Sequence, residues 1–185
     1  LHPVYQKHPN WATNKYTADG RVNTQLWDEE RLTTWFDTFM PTLELRNDTV
    51  AELMSDSALV WITEYDFDGF RHDATKHIPM NFTRLLTAKI RAASEDHVYQ
   101  IGETYGSDEL IASYVGSGKV DAQFNFNLYD AAFEAFTQEG ATFDRLRKAL
   151  ESSLTYYGHH HLMGNISGNL DKPRLSSMAS GHLSM

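Results

Sequence analysis

The sequence predicts an α/β fold built from parallel βα units, on two observations. Four short strand-like runs begin near residues 69, 98, 120 and 162, and helical stripes lie between them. The runs cover about 69–73, 98–102, 120–124 and 161–166. After the first, Phe82, Leu85, Leu86 and Ile90 share one face of a helix over about 80–93. Ser107 caps a short helix through Ile111 and Tyr114. Helices follow near 128–136 and 143–154, the second with Phe143, Leu146, Leu150 and Leu154 as its stripe. Parallel βα units have two standard homes, a doubly wound sheet and a (β/α)8 barrel. No Gly-x-Gly-x-x-Gly follows a strand. Gly118-Lys119 is no phosphate loop either, because Ser113 and Val120 stand where that loop needs Gly and Ser or Thr.

Ahead of the first strand, residues 1–26 lack periodicity and Asp19-Gly20 marks a turn, so a long loop is expected. A short helix is expected from 27 to 38, ended by Pro41. The clearest helix follows: Val50, Leu53, Met54, Ala58, Trp61 and Ile62 form an apolar stripe, with Asn47 or Asp48 as cap and Trp61 in the core. Residues 1–40 thus read as a loop-rich segment and 41–185 as the βα body.

Composition narrows the function classes. Sixteen basic and twenty-five acidic side chains give a net charge of −9, which disfavours nucleic acid and anionic membranes as partners. With no cysteine, thiol catalysis and cysteine-based zinc sites are excluded. The longest apolar run, 58–62, is far short of the ~20 residues of a membrane helix. The chain starts without Met or a signal-like stretch, and both ends read as cuts.

The chemistry gathers at the C-terminal ends of the strands, where a parallel barrel carries its active site. Arg71 and Asp73 are two apart and project to one side of their strand. A guanidinium beside a carboxylate keeps it ionised, as a nucleophile requires. Glu103 ends the second strand, on the side of Tyr99 and Ile101. Beside other acids its pKa would rise, which suits a proton donor. The loop Gly168-Asn169-Leu170-Asp171-Lys172-Pro173-Arg174 adds a third acid. Three carboxylates at three strand ends on one face form a glycosidase-like arrangement.

Other groups have plainer readings. Of His159, His160 and His161, only alternate residues share a strand face, and no third ligand is in view. His72 and His77 flank Asp73, but the Arg71 charge competes with a zinc ion there. Tyr5, Trp11, Tyr16 and Trp27 are sugar-stacking candidates or loop packing.

The run Asp68-Gly69-Phe70-Arg71-His72-Asp73-Ala74-Thr75-Lys76-His77 resembles the second signature region of the α-amylase family, glycoside hydrolase family 13. Ile101-Gly102-Glu103 resembles the third region and Asn169-Leu170-Asp171 the fourth. The resemblance runs from about Trp27 to Arg174 and implies a (β/α)8 TIM barrel, of which this chain covers about strands 4–7. The loop-rich 1–40 would then precede strand 4 as a domain B-like insertion. The resemblance further implies that Asp73 is the nucleophile, Glu103 the acid/base and Asp171 the transition-state stabiliser. Arg71 would orient Asp73, and Lys76, His77 and Asn169 would contact substrate.

The implied activity is retaining hydrolysis of α-1,4-glucosidic bonds in starch-like glucans or malto-oligosaccharides. The alternatives are an α-glucan transglycosylase and a non-catalytic glycan-binding relative. The implied partner is an α-glucan, with no oligomeric state fixed, and a secreted or periplasmic home is suggested by the family only. Two departures stand out. Leu170 replaces the family's His in the fourth region, and the first region, with its calcium-ligand residue, does not occur in this chain. The resemblance thus implies no certain cofactor: calcium is compatible with the intact domain, but no site for it is placed in this chain, and no other metal is implied.

Overall fold

The structure is a computed structural model, described here for residues 6–158 and 162–178. These fall into two units, one of residues 6–70 with 74–99 and one of residues 71–73 with 100–158 and 162–178. The expected strand start at His161, the triplet His159–His161 and Tyr5 lie outside the described residues.

In the first unit, helix α1 spans Asp48–Thr63. Asn47 caps it, its side chain accepting from the backbone N–H groups of Thr49 and Val50 at 3.0 and 3.4 Å. The stripe expected here holds in part. Val50, Ala51, Ser55 and Ile62 are buried with Ala58 half-buried, so Val50, Ala58 and Ile62 turn inward as expected, while Leu53, Met54 and Trp61 are exposed. Ser55 tolerates burial because its hydroxyl donates to the Ala51 carbonyl at 2.7 Å. Trp61, expected in the core, is 47% exposed and gathers Tyr65 and Phe67, each ring 5.3 Å away.

Helix α2, Met80–Ala93, begins after Pro79. It buries Phe82, Leu86 and Ile90 against Ala51, Ile62 and Val98, with Leu85 at the margin. Lys89 pairs with Glu52 and, at 2.5 Å, with Asp56, tying α2 to α1 on the outside.

The helix expected over 27–38 does not form; turns occupy 27–33. Consecutive Thr33 and Thr34 give the chain competing bonds. The Thr34 hydroxyl accepts from Leu26 N–H at 2.9 Å and its carbonyl accepts from the Thr42 hydroxyl at 2.6 Å. Isolated bridges, Ala12 with Leu43, Tyr16 with Val22 and Thr24 with Trp35, brace this loop-rich region. The Trp35 indole closes it by donating to the Thr13 carbonyl at 3.1 Å.

Three strands form one sheet in the order β1 (Gly69–His72), β2 (Tyr99–Gly102), β3 (Ala122–Gln123). Strands β2 and β3 are parallel, with Ile101 opposite Ala122 and Gly102 opposite Gln123. Tyr99 N–H donates to the Asp68 carbonyl at 3.0 Å and Glu103 N–H to the His72 carbonyl at 2.9 Å, a repeat at constant offset that marks β1 and β2 as parallel too. Gly69 is required by close approach: a Cβ there would overlap the Tyr99 carbonyl oxygen. The fourth expected strand is reduced to a parallel bridge between Phe124 and Gly164. A Cβ on Gly164 would come within 2.6 Å of Ile101 and 2.7 Å of Phe124.

The second unit adds α3 (Asp108–Ser113), capped by Ser107, then α4 (Phe126–Thr137), capped by Asn125, then α5 (Asp144–Tyr156) and the short α6 (Leu175–Met178). Helix α5 also departs from its expected face: Phe143, Leu150 and Leu154 are exposed. Polar anchors hold it instead. The Asn125 amide donates to Ser153 Oγ at 2.9 Å. Asp108 receives bonds from the Ser152 hydroxyl, from Tyr157 Oη at 2.6 Å and from the Asn127 amide at 2.8 Å. Among the described residues no helix is long and apolar enough to cross a membrane.

Candidate active site

The site is built in the second unit from the ends of β1 and β2 and the loop before α6. Strand β1 alternates, so His72 turns away from the side shared by Arg71 and Asp73. His72 Nε2 meets Gln100 Oε1 at 3.1 Å, and burial pushes its pKa below the usual histidine range, opposed by that bond. Directly after Asp73 the chain reverses through Ala74 at φ 46°, a left-handed conformation that a non-glycine residue adopts under strain.

One guanidinium holds both leading carboxylates. Arg71 Nη1 donates to Asp73 Oδ1, and Nη2 donates to Glu103 Oε2 at 2.6 Å. The two acids differ in environment: the Asp73 side chain is 72% exposed and that of Glu103 only 8%. Burial pushes the Glu103 carboxyl above the usual range, and hydrogen bonding with Asp73 pushes the same way. The Arg71 charge opposes this, while the negative charges of Asp73 and Asp171 add to it. Burial works against the Arg71 charge, but its two carboxylate partners outweigh it and raise its pKa.

The third acid lies in the loop. Asp171 N–H donates to Asn169 Oδ1 at 3.0 Å, a local turn in which Asn169 shapes the approach to Asp171. Leu170, between them, is 88% exposed. The Asp171 charge reaches both Glu103 and Tyr105. Tyr105 lies two residues past Glu103, stacks on Phe126 at 4.0 Å, and has its pKa raised by burial and by the carboxylates of Glu103, Asp171 and Asp130.

Sequence reasoning named Arg71, Asp73, Glu103, Asn169 and Asp171, and the structure places all five within this unit. It passed over Tyr129 and Asp130, which bond Pro173 and Lys172 of the same loop, and gave Lys172 no role. Lys172 carried a signal, since it directly follows Asp171 in the loop already singled out.

Lys76 and His77 belong to the first unit. Lys76 Nζ is 3.3 Å from Asp28, and its carbonyl accepts from Arg31. His77 is buried, with Nδ1 donating to the Arg31 carbonyl at 2.7 Å and its ring 5.5 Å from Trp27 and 5.2 Å from Phe36. Burial lowers its pKa. Trp27 therefore packs inside its own unit, while Trp11 stacks on His8 at 4.2 Å and Tyr16 is exposed. Among the described residues no group of three or more His, Asp or Glu side chains is arranged to hold a metal ion.

A parallel βα sheet with carboxylates at successive strand ends is the arrangement in which α/β enzymes, barrels among them, carry their active sites. Comparison with known proteins gives the family. Residues 3–184 match the model of the family described as "Alpha amylase, catalytic domain". The chain belongs to the α-amylase catalytic-domain family.

Similar curated proteins include a cyclomaltodextrinase of Geobacillus thermopakistaniensis (strain MAS1), 30% identical over 153 residues, covering 79% of this chain and 25% of that protein. Alpha-amylase 2 of Schizosaccharomyces pombe is 30% identical over 155 residues, covering 83% and 24%. This chain thus spans about a quarter of the length of those relatives. Among solved structures, an Anoxybacillus α-amylase matches with a TM-score of 0.80 at 23% identity, covering 96% of this chain and 37% of that one. The Geobacillus thermoleovorans α-amylase, complexed with acarbose, matches with a TM-score of 0.80 at 24% identity, covering 97% and 38%. The fold is therefore the TIM barrel of α-amylases, represented here by part of its parallel sheet and surrounding helices.

Proposed function

We propose that this chain carries the catalytic acids of a retaining glycoside hydrolase acting on α-1,4-linked, starch-like glucans or malto-oligosaccharides. The observation that carries the reading is the single Arg71 guanidinium bonded to both Asp73 and Glu103, one acid exposed and the other buried. Both carboxylates bond one guanidinium and so face one site; retention requires them ~5–5.5 Å apart, inversion ~6.5–9.5 Å.

In this reading Asp73 attacks the anomeric carbon while Glu103, whose carboxyl is pushed above the usual range by burial, gives its proton to the departing glycosidic oxygen. A β-glucosyl ester on Asp73 results. Glu103, now ionised, takes a proton from water, which attacks the same carbon and releases Asp73. The product keeps the α configuration. Asp171 stabilises positive charge developing on the ring, and Arg71 holds the pair in register. Asn169 shapes the loop that carries Asp171 and contacts the sugar there. The loop-rich residues up to 40 precede the fourth barrel strand as an insertion, and 41–185 belong to the barrel.

Transfer to a second sugar is the other outcome of the same intermediate. A cyclomaltodextrin glucanotransferase of Paenibacillus macerans, 24% identical over 90% of this chain, keeps that reading in view. Survival of all three acids and Arg71 argues against a glycan-binding relative without catalysis.

The test is proton NMR of the first product formed by the full-length protein from maltoheptaose. An α-anomer that mutarotates later supports retention, and an initial β-anomer contradicts it. Longer oligosaccharides at high substrate would assign transfer.

A further inference from the structure

The residue after Asp171 is held far more tightly than Asp171 itself. Lys172 Nζ lies 3.2 Å from Asp130 Oδ1. It also lies 5.1, 5.7 and 5.5 Å from the ring centres of Tyr105, Phe126 and Tyr129, within cation–π range of all three. Two of those rings, Tyr105 and Phe126, stack on each other at 4.0 Å and 14°. The next residue is fixed as well, because Tyr129 Oη donates to the Pro173 carbonyl at 3.1 Å.

This arrangement answers a physical question about the loop. Asp171 lies on irregular chain, is exposed, and on its other side meets the Asn169 turn. An exposed carboxylate on an irregular loop keeps one position only if its neighbours are pinned. A lysine stem is flexible and its ammonium strongly hydrated, so burial in an aromatic box is stable only with a counter-charge, which Asp130 supplies. Tyr105 sits two residues beyond Glu103, so the ring that holds Lys172 continues directly from the strand end bearing Glu103.

We propose that Lys172 is a positioning residue for Asp171, its caged ammonium fixing the loop so that the Asp171 carboxylate faces Asp73 and Glu103. The proposal rests on the reading of these three acids as catalytic.

The experiment compares Lys172→Met, Lys172→Arg and Asp130→Asn with the wild type in the full-length protein, reading kcat and KM on maltoheptaose, the pH profile and the melting temperature. Lys172→Met keeps the length of the side chain and removes its charge. Its kcat falls roughly 10²-fold, the order expected for a misplaced catalytic group, with KM little changed. The basic limb of its pH profile moves down, because a displaced Asp171 no longer raises Glu103. Lys172→Arg restores most of the loss. Asp130→Asn, with the rings intact, shifts kcat and the limb the same way but less, and serves if Lys172→Met folds poorly.

Wild-type kcat in Lys172→Met overturns the proposal, as does a rise in KM alone, which would make Lys172 a direct sugar contact. Equal losses in Met and Arg variants that track melting temperature, with an unmoved pH limb, overturn it as well. Asp73→Asn in the same assays tests the underlying reading separately: an active Asp73→Asn removes that reading, whereas an inactive one beside a normal Lys172→Met removes only the proposal.

Discussion

Arg71 Nη2 donates to Glu103 Oε2 across 2.6 Å, from the end of one strand to the end of its neighbour. The same guanidinium bonds Asp73 through its other terminal nitrogen. A carboxyl that is buried yet bonded to a cation is pulled in two directions, and burial prevails. Glu103 therefore stays protonated to higher pH than an ordinary glutamate while remaining in contact with the group that aligns Asp73.

Replacing Asp73 by Asn should remove turnover with little effect on folding. The side chain is mostly exposed, so stability changes stay within about 0.5 kcal/mol. Activity on maltoheptaose should fall by roughly 10⁴-fold or more, the order seen when a nucleophile is removed. Turnover near the wild-type rate would mean that another group attacks.

Glu103→Gln separates proton donation from attack. Loss on natural glucan should lie around 10²–10⁴-fold, and be much smaller on a substrate with an activated leaving group such as a fluoride. The linkage sign follows from the raised pKa. The stability tied to Glu103 is fully present below the unfolded pKa near 4.5 and is lost as pH rises through the higher folded value. Denaturant titrations should therefore show Glu103→Gln gaining stability relative to wild type as pH rises across that window. A difference independent of pH would contradict it.

Arg71→Gln should shift the residual pH–rate profile. Arg71 holds the Glu103 pKa down against burial, so its loss should move the basic limb of kcat/KM to higher pH while kcat falls. A limb that stays in place would mean the bridge does not persist during turnover.

The Asp108 cluster predicts acid sensitivity. Burial raises the Asp108 pKa, but bonds from Ser152, Tyr157 and Asn127 outweigh it, and the net shift is downward. Its stabilising contribution is present above the unfolded pKa near 3.8 and lost as pH falls through the lower folded value. Tyr157→Phe, which removes the 2.6 Å bond, should cost about 1–3 kcal/mol at neutral pH by urea titration, and less in acid. An equal cost at both would place the effect elsewhere.

The placement of Arg71, Asp73 and Glu103 was legible because its signals are local: Arg71 and Asp73 lie two apart at the end of one strand, and Glu103 follows the end of the next. The helices at 48–63 and 144–156 were legible, but their buried faces only in part: Val50, Ala58 and Ile62 turn inward as the pattern predicts, whereas Leu53, Met54, Trp61, Leu150 and Leu154 do not. Each carries more apolar residues than one face holds, and polar side chains settle the choice: Ser55 in the first, Ser152 and Ser153 in the second. The turns over 27–33 escaped notice because they depend on Thr34 bonding Leu26 and Thr42, partners eight residues away on either side. Lys172 escaped for the same reason on a larger scale, since its cage comes from Tyr105, Phe126 and Tyr129, far off in sequence.

The claim at the centre of this account is that Asp73 bonds covalently to the sugar. The most direct measurement is mass spectrometry of the full-length protein incubated with a 5-fluoro-α-glucosyl fluoride, followed by peptide mapping. With Asp73 as the nucleophile, a mass increase of one fluoroglucosyl unit is expected, located on the peptide at Asp73 and absent from Asp73→Asn. Normal turnover of the natural glucan, with the adduct on a different residue, would contradict it.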